Sequence, residues 1–319
     1  MSAFGPPLRV GVSSCLLGRP VRYNGGHKRD DFVVDTLGPH VTFVPVCPEV
    51  ELGLGTPRET LRLVRKSDDV RMVMANGEDH TDGMRRYAAT RVAALERDDL
   101  DGYILKRDSP SCGMARVKVY DRHGSPMRTG RGVFAAVLID AAPMLPIEEE
   151  GRLVDLRLRE NFVARMFAFR RVKTLFSSRW TMGDLVRFHT AHKLTLLSHS
   201  TTAYNALGRL VAEGKRSPRA ALRDAYMSAF MKALAIVPTT KKHTNVLQHI
   251  VGHFRDQLDD DSRRELIDTI EDYRLERIPL IAPLTLVRHH VRRLRIPYLA
   301  GQEYLANHVG VISVLSRDA

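Results

Sequence analysis

The sequence predicts an α/β domain with a mostly parallel, Rossmann-like sheet, followed by an all-α domain. Three observations carry that prediction. Short β-rich runs bounded by turn signals alternate with helical patterns up to about residue 140. From residue 153 onward the helical period dominates. The charge divides the same way: residues 1–150 hold 21 Lys and Arg against 21 Asp and Glu, and residues 151–319 hold 28 against 16. The whole net charge of +12 therefore lies in the second half, and all three cysteines lie in the first.

A chain of 319 residues suits two domains of roughly 100–200 residues each. With 44% hydrophobic, 27% charged and 7% aromatic residues it is neither disordered, collagenous nor a disulfide scaffold. No apolar run approaches the roughly 18 residues of a membrane span. The opening MSAFGPPLRVGVSSC lacks the long apolar core of a signal peptide, so a cytoplasmic setting with free thiols is expected.

In chain order, the expected strands are RVGVSSC, HVTFVPVC, DGYILK, MARVKVYD and GVFAAVLID (132–140), with a helix across 80–100. A linker is expected at 141–152, where two prolines and an acidic triplet interrupt the pattern. This sets the domains at 1–145 and 152–319. Helices follow at LRENFVARMFAFRRVKTLF, TMGDLVRFHTAHKLTLLSHS, TTAYNALGRLVAE, RAALRDAYMSAFMKALA, VLQHIVGHFRDQL and SRRELIDTIEDYRLE. Their breaks fall at Gly214, Pro218, Pro238 and the PLIAP stretch at 279–283.

Ligands of parallel α/β sheets bind beyond the carboxyl ends of the strands. Cys15, Cys47 and Cys112 each follow a predicted strand, so neighbouring strands would gather the thiols on one rim. Their separations of 32 and 65 residues exclude a local CxxC knuckle. A lone cysteine is usually a small buried hydrophobe, but these three sit in the polar loops SSC, VCPE and SPSCG. Three thiolates suit a soft metal centre. Zinc with His27 as a fourth ligand and a [4Fe–4S] cluster with one open iron both remain compatible with the spacing.

The segments VSSCLLGRPVRYNGGHK (12–28), PVCPEVELGLGTPRE (45–59) and LKRDSPSCG (105–113) resemble the signature loops of the thiouracil desulfidase family. KKHTNVLQHIVGHF, YRLERIPLIAPLTLVRHH and YLAGQEYL resemble an uncharacterised helical domain often fused to it, and proteins with both modules resemble tRNA 4-thiouridine desulfidases. The resemblance implies a [4Fe–4S] cluster held by Cys15, Cys47 and Cys112. It also implies a catalytic acid at Glu49 and a catalytic serine at Ser109, with Ser111 close by. Glu49 would activate water for attack at C4 of the base, and Ser109 would hydrogen-bond or relay a proton. One departure is visible: Glu51 and Leu52 stand where the family has small residues, which bears on the pocket wall. By themselves, Glu49 reads as a capping or solvated carboxylate and the two serines as turn formers around Pro110. Lys106 and Arg107 read either as phosphate ligands or as solvated charges, and the Gly25-Gly26 pair as a tight turn.

In the helical half, Arg170, Arg171 and Lys173, then Lys215 and Arg216, then Lys241 and Lys242, and finally Arg288, Arg292, Arg293 and Arg295 form clusters suited to RNA phosphates. His249 and His253, like His189 and His192, share helical faces without the HExxH pattern, so core, surface or RNA contacts are expected of them. The expectation is a non-redox, cluster-dependent desulfidase that converts 4-thiouridine in tRNA to uridine and hydrogen sulfide. It needs no membrane and no obligate protein partner. The alternatives are a desulfidase of free thiouracil or thiouridine nucleotides, and a non-catalytic metal-containing RNA-binding or regulatory protein.

Overall fold

The computed structural model of the chain describes residues 6–255 and 257–306, so the end of the predicted helical domain lies outside the described residues. Two compact units are present, one reaching Phe169 and the other beginning at Arg170.

In chain order the first unit contains β1 (Leu8–Ser13), β2 (Val41–Val46), the short helix α1 (Pro48–Glu51), β3 (Leu61–Lys66), β4 (Asp69–Met74), α2 (Thr81–Arg97), β5 (Gly102–Leu105), β6 (Val117–Tyr120), β7 (Pro126–Gly130), α3 (Val133–Ala141) and β8 (Ile147–Glu149). One sheet is wholly parallel, in the order β2-β1-β5-β8, with Val12 of β1 opposite both Pro45 and Ile104. The second sheet, β4-β3-β6-β7, joins two antiparallel hairpins through a parallel β3–β6 contact.

Helix α2 forms because its apolar residues recur at helical spacing: Met84, Ala88, Val92 and Leu95 make one buried stripe. That stripe packs with Phe134 and Leu138 of α3, Tyr103 of the parallel sheet, and Leu63 and Met72 of the second sheet. Behind the parallel sheet, Gly102 lets Phe162 and Met166 of α4 (Leu156–Ser177) approach closely, since a Cβ there would lie 2.6 Å from the Met166 sulfur.

Two expectations are corrected. GVFAAVLID is the helix α3, not a strand. An unbroken apolar run carries no period, and this one is helical because it is buried between α2 and the third cysteine loop. The stretch 141–152 is not a bare linker either, because Ile147–Glu149 adds the fourth parallel strand and Glu148, Glu149 and Glu150 are buried. The division between units consequently falls at Phe169, inside α4.

The second unit comprises the rest of α4 and then α5 (Met182–Ala191), α6 (Lys193–His199), α7 (Thr201–Glu213), α8 (Arg219–Leu234), α9 (Thr240–Gly252), α10 (Asp260–Arg274), α11 (Ile281–Leu294) and α12 (Pro297–Ala300). Its helix starts are written locally. Thr181 and Asp184 form a capping box, and Ser200, Thr239 and Asp259 each accept a backbone N–H with the side chain. His189 and His192 are core residues: His189 bonds the Tyr226 hydroxyl at 3.1 Å, and His192 stacks on Phe188. Burial holds the His192 imidazole down at about 3, so it is neutral near pH 7. Among the described residues no helix is long and apolar enough to cross a membrane.

Candidate active site

All four parallel strands deliver something to the same rim. Cys15 follows β1 in a 3-10 turn, Cys47 follows β2 as the N-cap of α1, and Cys112 lies in the loop after β5. Glu150 follows β8 directly. The strand order therefore sets Cys47, Cys15 and Cys112 on three adjacent strand ends. The three thiols line one cavity of about 410 Å³ together with Glu49, Arg58, Lys106, Ser109 and Ser111.

Burial dominates the thiol electrostatics. It pushes Cys15 up to about 11, with Lys106 acting in the opposite sense, and it raises Cys47 and, further, the enclosed Cys112. The neighbouring thiols add to the shift at Cys15 and at Cys112, and Glu49 adds to it at Cys47 and Cys112. All three cysteines are free. Among the described residues no three His, Cys, Asp or Glu side chains are grouped around a single metal ion. His27 is exposed and does not line the cavity; its Nδ1 accepts the Arg29 backbone N–H at 3.2 Å. That removes the fourth ligand that the zinc alternative invoked.

Glu49 sits in the first turn of α1, which aims it across the cavity. Arg58 grips its Oε2 through Nη2 and, at 3.1 Å, through Nε. The Arg58 guanidinium is itself fixed by the carbonyls of Val21 and Gly55, at 3.1 and 2.9 Å. On the other carboxylate oxygen, Ser111 Oγ donates at 2.5 Å, and Ser109 Oγ stands 3.0 Å behind Ser111 Oγ. Ser109 Oγ also accepts the Cys112 backbone N–H at 3.1 Å. The two serines have different places: Ser111 touches Glu49, whereas Ser109 braces the cysteine loop and connects to Glu49 through Ser111.

Residues absent from the sequence-based list hold this arrangement. Arg58 is one, and it lies within the quoted TPRE stretch. The acidic triplet supplies two more. Glu149 accepts the Met114 N–H at 2.6 Å, while Glu150 accepts the Arg107 N–H at 2.8 Å and ion-pairs with Lys106. Lys106 is thus neither solvated nor a free phosphate ligand. Glu51 faces α2, away from the cavity, accepting Tyr87 Oη at 2.6 Å, Arg91 Nε at 3.1 Å and the Cys47 N–H at 3.0 Å. The departure from the family pattern therefore braces a thiol loop and leaves the pocket wall unchanged.

Gly132 is the tightest point of the third loop. A Cβ there would lie 2.5 Å from the Ser111 carbonyl oxygen and 2.7 Å from the Gly113 nitrogen, both backbone atoms. Gly132→Ala is expected to cost about 1–3 kcal/mol and to displace Ser111 and Cys112, read as a lower Tm of the apoprotein and less iron retained after reconstitution.

The family model described as 2-thiouracil desulfurase matches residues 10–150. The uncharacterized protein YbbK of Bacillus subtilis (strain 168) is 35% identical over 145 residues, covering 44% of this chain and 95% of YbbK. The uncharacterized protein YbgA of Escherichia coli (strain K12) is 30% identical over 152 residues, 46% of this chain and 88% of YbgA. The chain belongs to the thiouracil desulfurase family. Within this family member, residues 193–309 match a second model, described only as a protein of unknown function (DUF1722). Among solved structures, the [4Fe–4S]-dependent thiouracil desulfidase TudS is 32% identical and covers 48% of this chain and 97% of its own, with a TM-score of 0.40.

The cationic clusters of the helical unit divide on inspection. Lys215, Arg216, Lys241, Arg292, Arg293 and Arg295 are exposed, with Arg293 at 3.8 Å from Asp259. Arg170, Lys173 and Arg288 are half-buried. Two expected RNA contacts are engaged internally instead: Arg171 pairs with Glu303 at 2.8 Å, and Lys242 Nζ donates to the His199 carbonyl at the end of α6. His249 and His253 are exposed with ring centroids 5.3 Å apart.

Proposed function

We propose that this protein is a [4Fe–4S]-dependent, non-redox desulfidase that removes sulfur from 4-thiouridine in tRNA. The observation that carries the reading is one cavity in which three buried free thiols face a carboxylate clamped by an arginine and a serine pair. The donor set fits the cluster. Three soft ligands line a space of about 410 Å³ without being drawn together around one ion, as ligands of a multi-iron group would be. Cys15, Cys47 and Cys112 would hold it, and a three-cysteine cluster supplies an open iron that acts as Lewis acid toward the thiocarbonyl sulfur.

The chain's own residues supply positioning and proton handling. Water replaces sulfur at C4, so the C=S bond gives way to C=O, one water is consumed, hydrogen sulfide leaves and no electron is transferred. Glu49 is the base for that water. Arg58 restrains one carboxylate oxygen, and Ser111 orients the other while leaving it a free lone pair for the water proton. Ser109 and Ser111 form a two-hydroxyl path by which a proton reaches or leaves Glu49. Ser111→Ala is expected to lower turnover about tenfold to a hundredfold, the loss of one hydrogen bond to a charged group, with iron content unchanged.

The test is to incubate cluster-loaded protein with 4-thiouridine-containing tRNA and to measure released sulfide beside nucleoside composition. Uridine and sulfide should appear in equal amounts; intact 4-thiouridine after prolonged incubation rejects the reading. Free thiouracil is the second reading, favoured by the family model's description and by its match to the α/β unit alone. Exposed cations of the helical unit support the tRNA version.

A further inference from the structure

The α/β half carries equal numbers of cationic and acidic side chains, yet its cavity is lined by Arg22, Lys28, Arg58, Lys106 and Arg107 against Glu49 and Asp108. Three of those cations have acidic partners: Arg58 with Glu49, Lys106 with Glu150, and Arg107 beside Asp108 at 3.9 Å. Arg22 and Lys28 have no carboxylate in ion-pair range among the described residues. Both belong to one loop at the cavity wall.

That loop is built rather than loose. The Arg22 N–H donates to the Gly26 carbonyl at 3.1 Å and the Gly25 N–H donates back to the Arg22 carbonyl at 2.9 Å, with Gly25 at φ +72° where a side chain would be strained. Its far end is tied to the first cysteine, as the Lys28 N–H donates to the Cys15 carbonyl at 2.9 Å. Its middle is tied to the catalytic pair, as the Arg58 N–H donates to the Tyr23 carbonyl at 2.8 Å. The Arg22 guanidinium lies over the Tyr23 ring, 5.4 Å from its centroid, which fixes its position. Two unneutralised cations are thereby held at a set place relative to Cys15 and Glu49. A free thiolated base has no group for them to bind; a nucleotide has its phosphate.

We infer that Arg22 and Lys28 form a phosphate subsite in the wall of the cavity, which selects a thiolated nucleotide over the free base or nucleoside. The inference rests on the desulfidase reading for its base and adds the phosphate. A terminal phosphate and an internucleotide phosphate present the same chemistry, an anion with oxygen acceptors suited to a guanidinium and an ammonium.

The test uses full-length protein, wild type and the Arg22→Ala and Lys28→Ala variants, in two measurements. Equilibrium dialysis compares binding of uridine 5′-monophosphate and of uridine. Steady-state kinetics of the reconstituted protein compare 4-thiouridine, its 5′-monophosphate and an oligoribonucleotide containing one 4-thiouridine. Wild type should prefer the monophosphate or the oligonucleotide over the nucleoside, and each variant should reduce that preference about tenfold or more. Loss confined to the monophosphate assigns a terminal phosphate. Loss on the oligonucleotide assigns an RNA phosphate. Equal dialysis affinities for nucleotide and nucleoside, together with unchanged kinetic preference in both variants, overturn the subsite. A protein that turns over no thiolated substrate but binds the monophosphate through Arg22 and Lys28 rejects the desulfidase reading and leaves the subsite standing.

Discussion

Glu49→Gln is expected to retain the iron and visible absorbance of the reconstituted protein while lowering sulfide release by about two to four orders of magnitude, the usual contribution of a positioned general base. Glutamine preserves size and still accepts hydrogen bonds from Arg58 and Ser111, so the cavity keeps its shape. The basic oxygen facing the water is what disappears. Glu49 is not among the three thiol ligands, so cluster retention and activity separate cleanly in this variant. A secondary effect on stability is also expected. The Arg58 side chain is only 5% exposed, and without its carboxylate partner it depends on the Val21 and Gly55 carbonyls alone. A lowered Tm with full sulfide release would remove Glu49 from the chemistry and leave it a structural role.

Cys112→Ala has the opposite profile: iron, inorganic sulfide, colour and activity are all expected to be lost, while the apoprotein keeps its circular dichroism. Cys112 is buried at 6% exposure, and its loop is held by Ser109, Gly132 and Glu149 independently of the thiol. The loop therefore survives removal of one sulfur, whereas a three-ligand cluster does not survive loss of a ligand. Cys15→Ala and Cys47→Ala should behave alike. Stoichiometric zinc in colourless wild-type protein, replacing iron after anaerobic reconstitution, would falsify the iron–sulfur assignment.

Much of this site is legible in the sequence because its ligands stand where strands end. The runs before Cys15 and Cys47 are β-rich and short, and the parallel-sheet rule then gathers their ends. Glu49 is legible from its place beside Cys47 in the quoted loop. Arg58 is harder to see, since it comes nine residues after Glu49 and only the folded loop brings the guanidinium back to the carboxylate. The acidic triplet misleads for a physical reason. Three consecutive glutamates after a proline look solvated, yet Glu149 and Glu150 are buried because Met114, Arg107 and Lys106 offer them donors. The run at 132–140 misleads because a fully apolar nonamer satisfies strand and helix alike until its neighbours are known. Cationic clusters show the same limit in the second unit. Charge counts do not distinguish Lys241, which is exposed, from Lys242, which closes the end of α6.

The placement of the three cysteines on neighbouring strand ends also orders the protein's maturation. In a zinc knuckle the ligands are close in sequence, and the metal helps fold the segment that binds it. Here no two ligands share a segment, and they meet only after β1 has paired with both β2 and β5. The apoprotein must therefore reach its native sheet first and present a finished, neutral-thiol receptor. The inorganic group is delivered to a folded client, so its loss by oxidation leaves a chain that can be recharged without refolding.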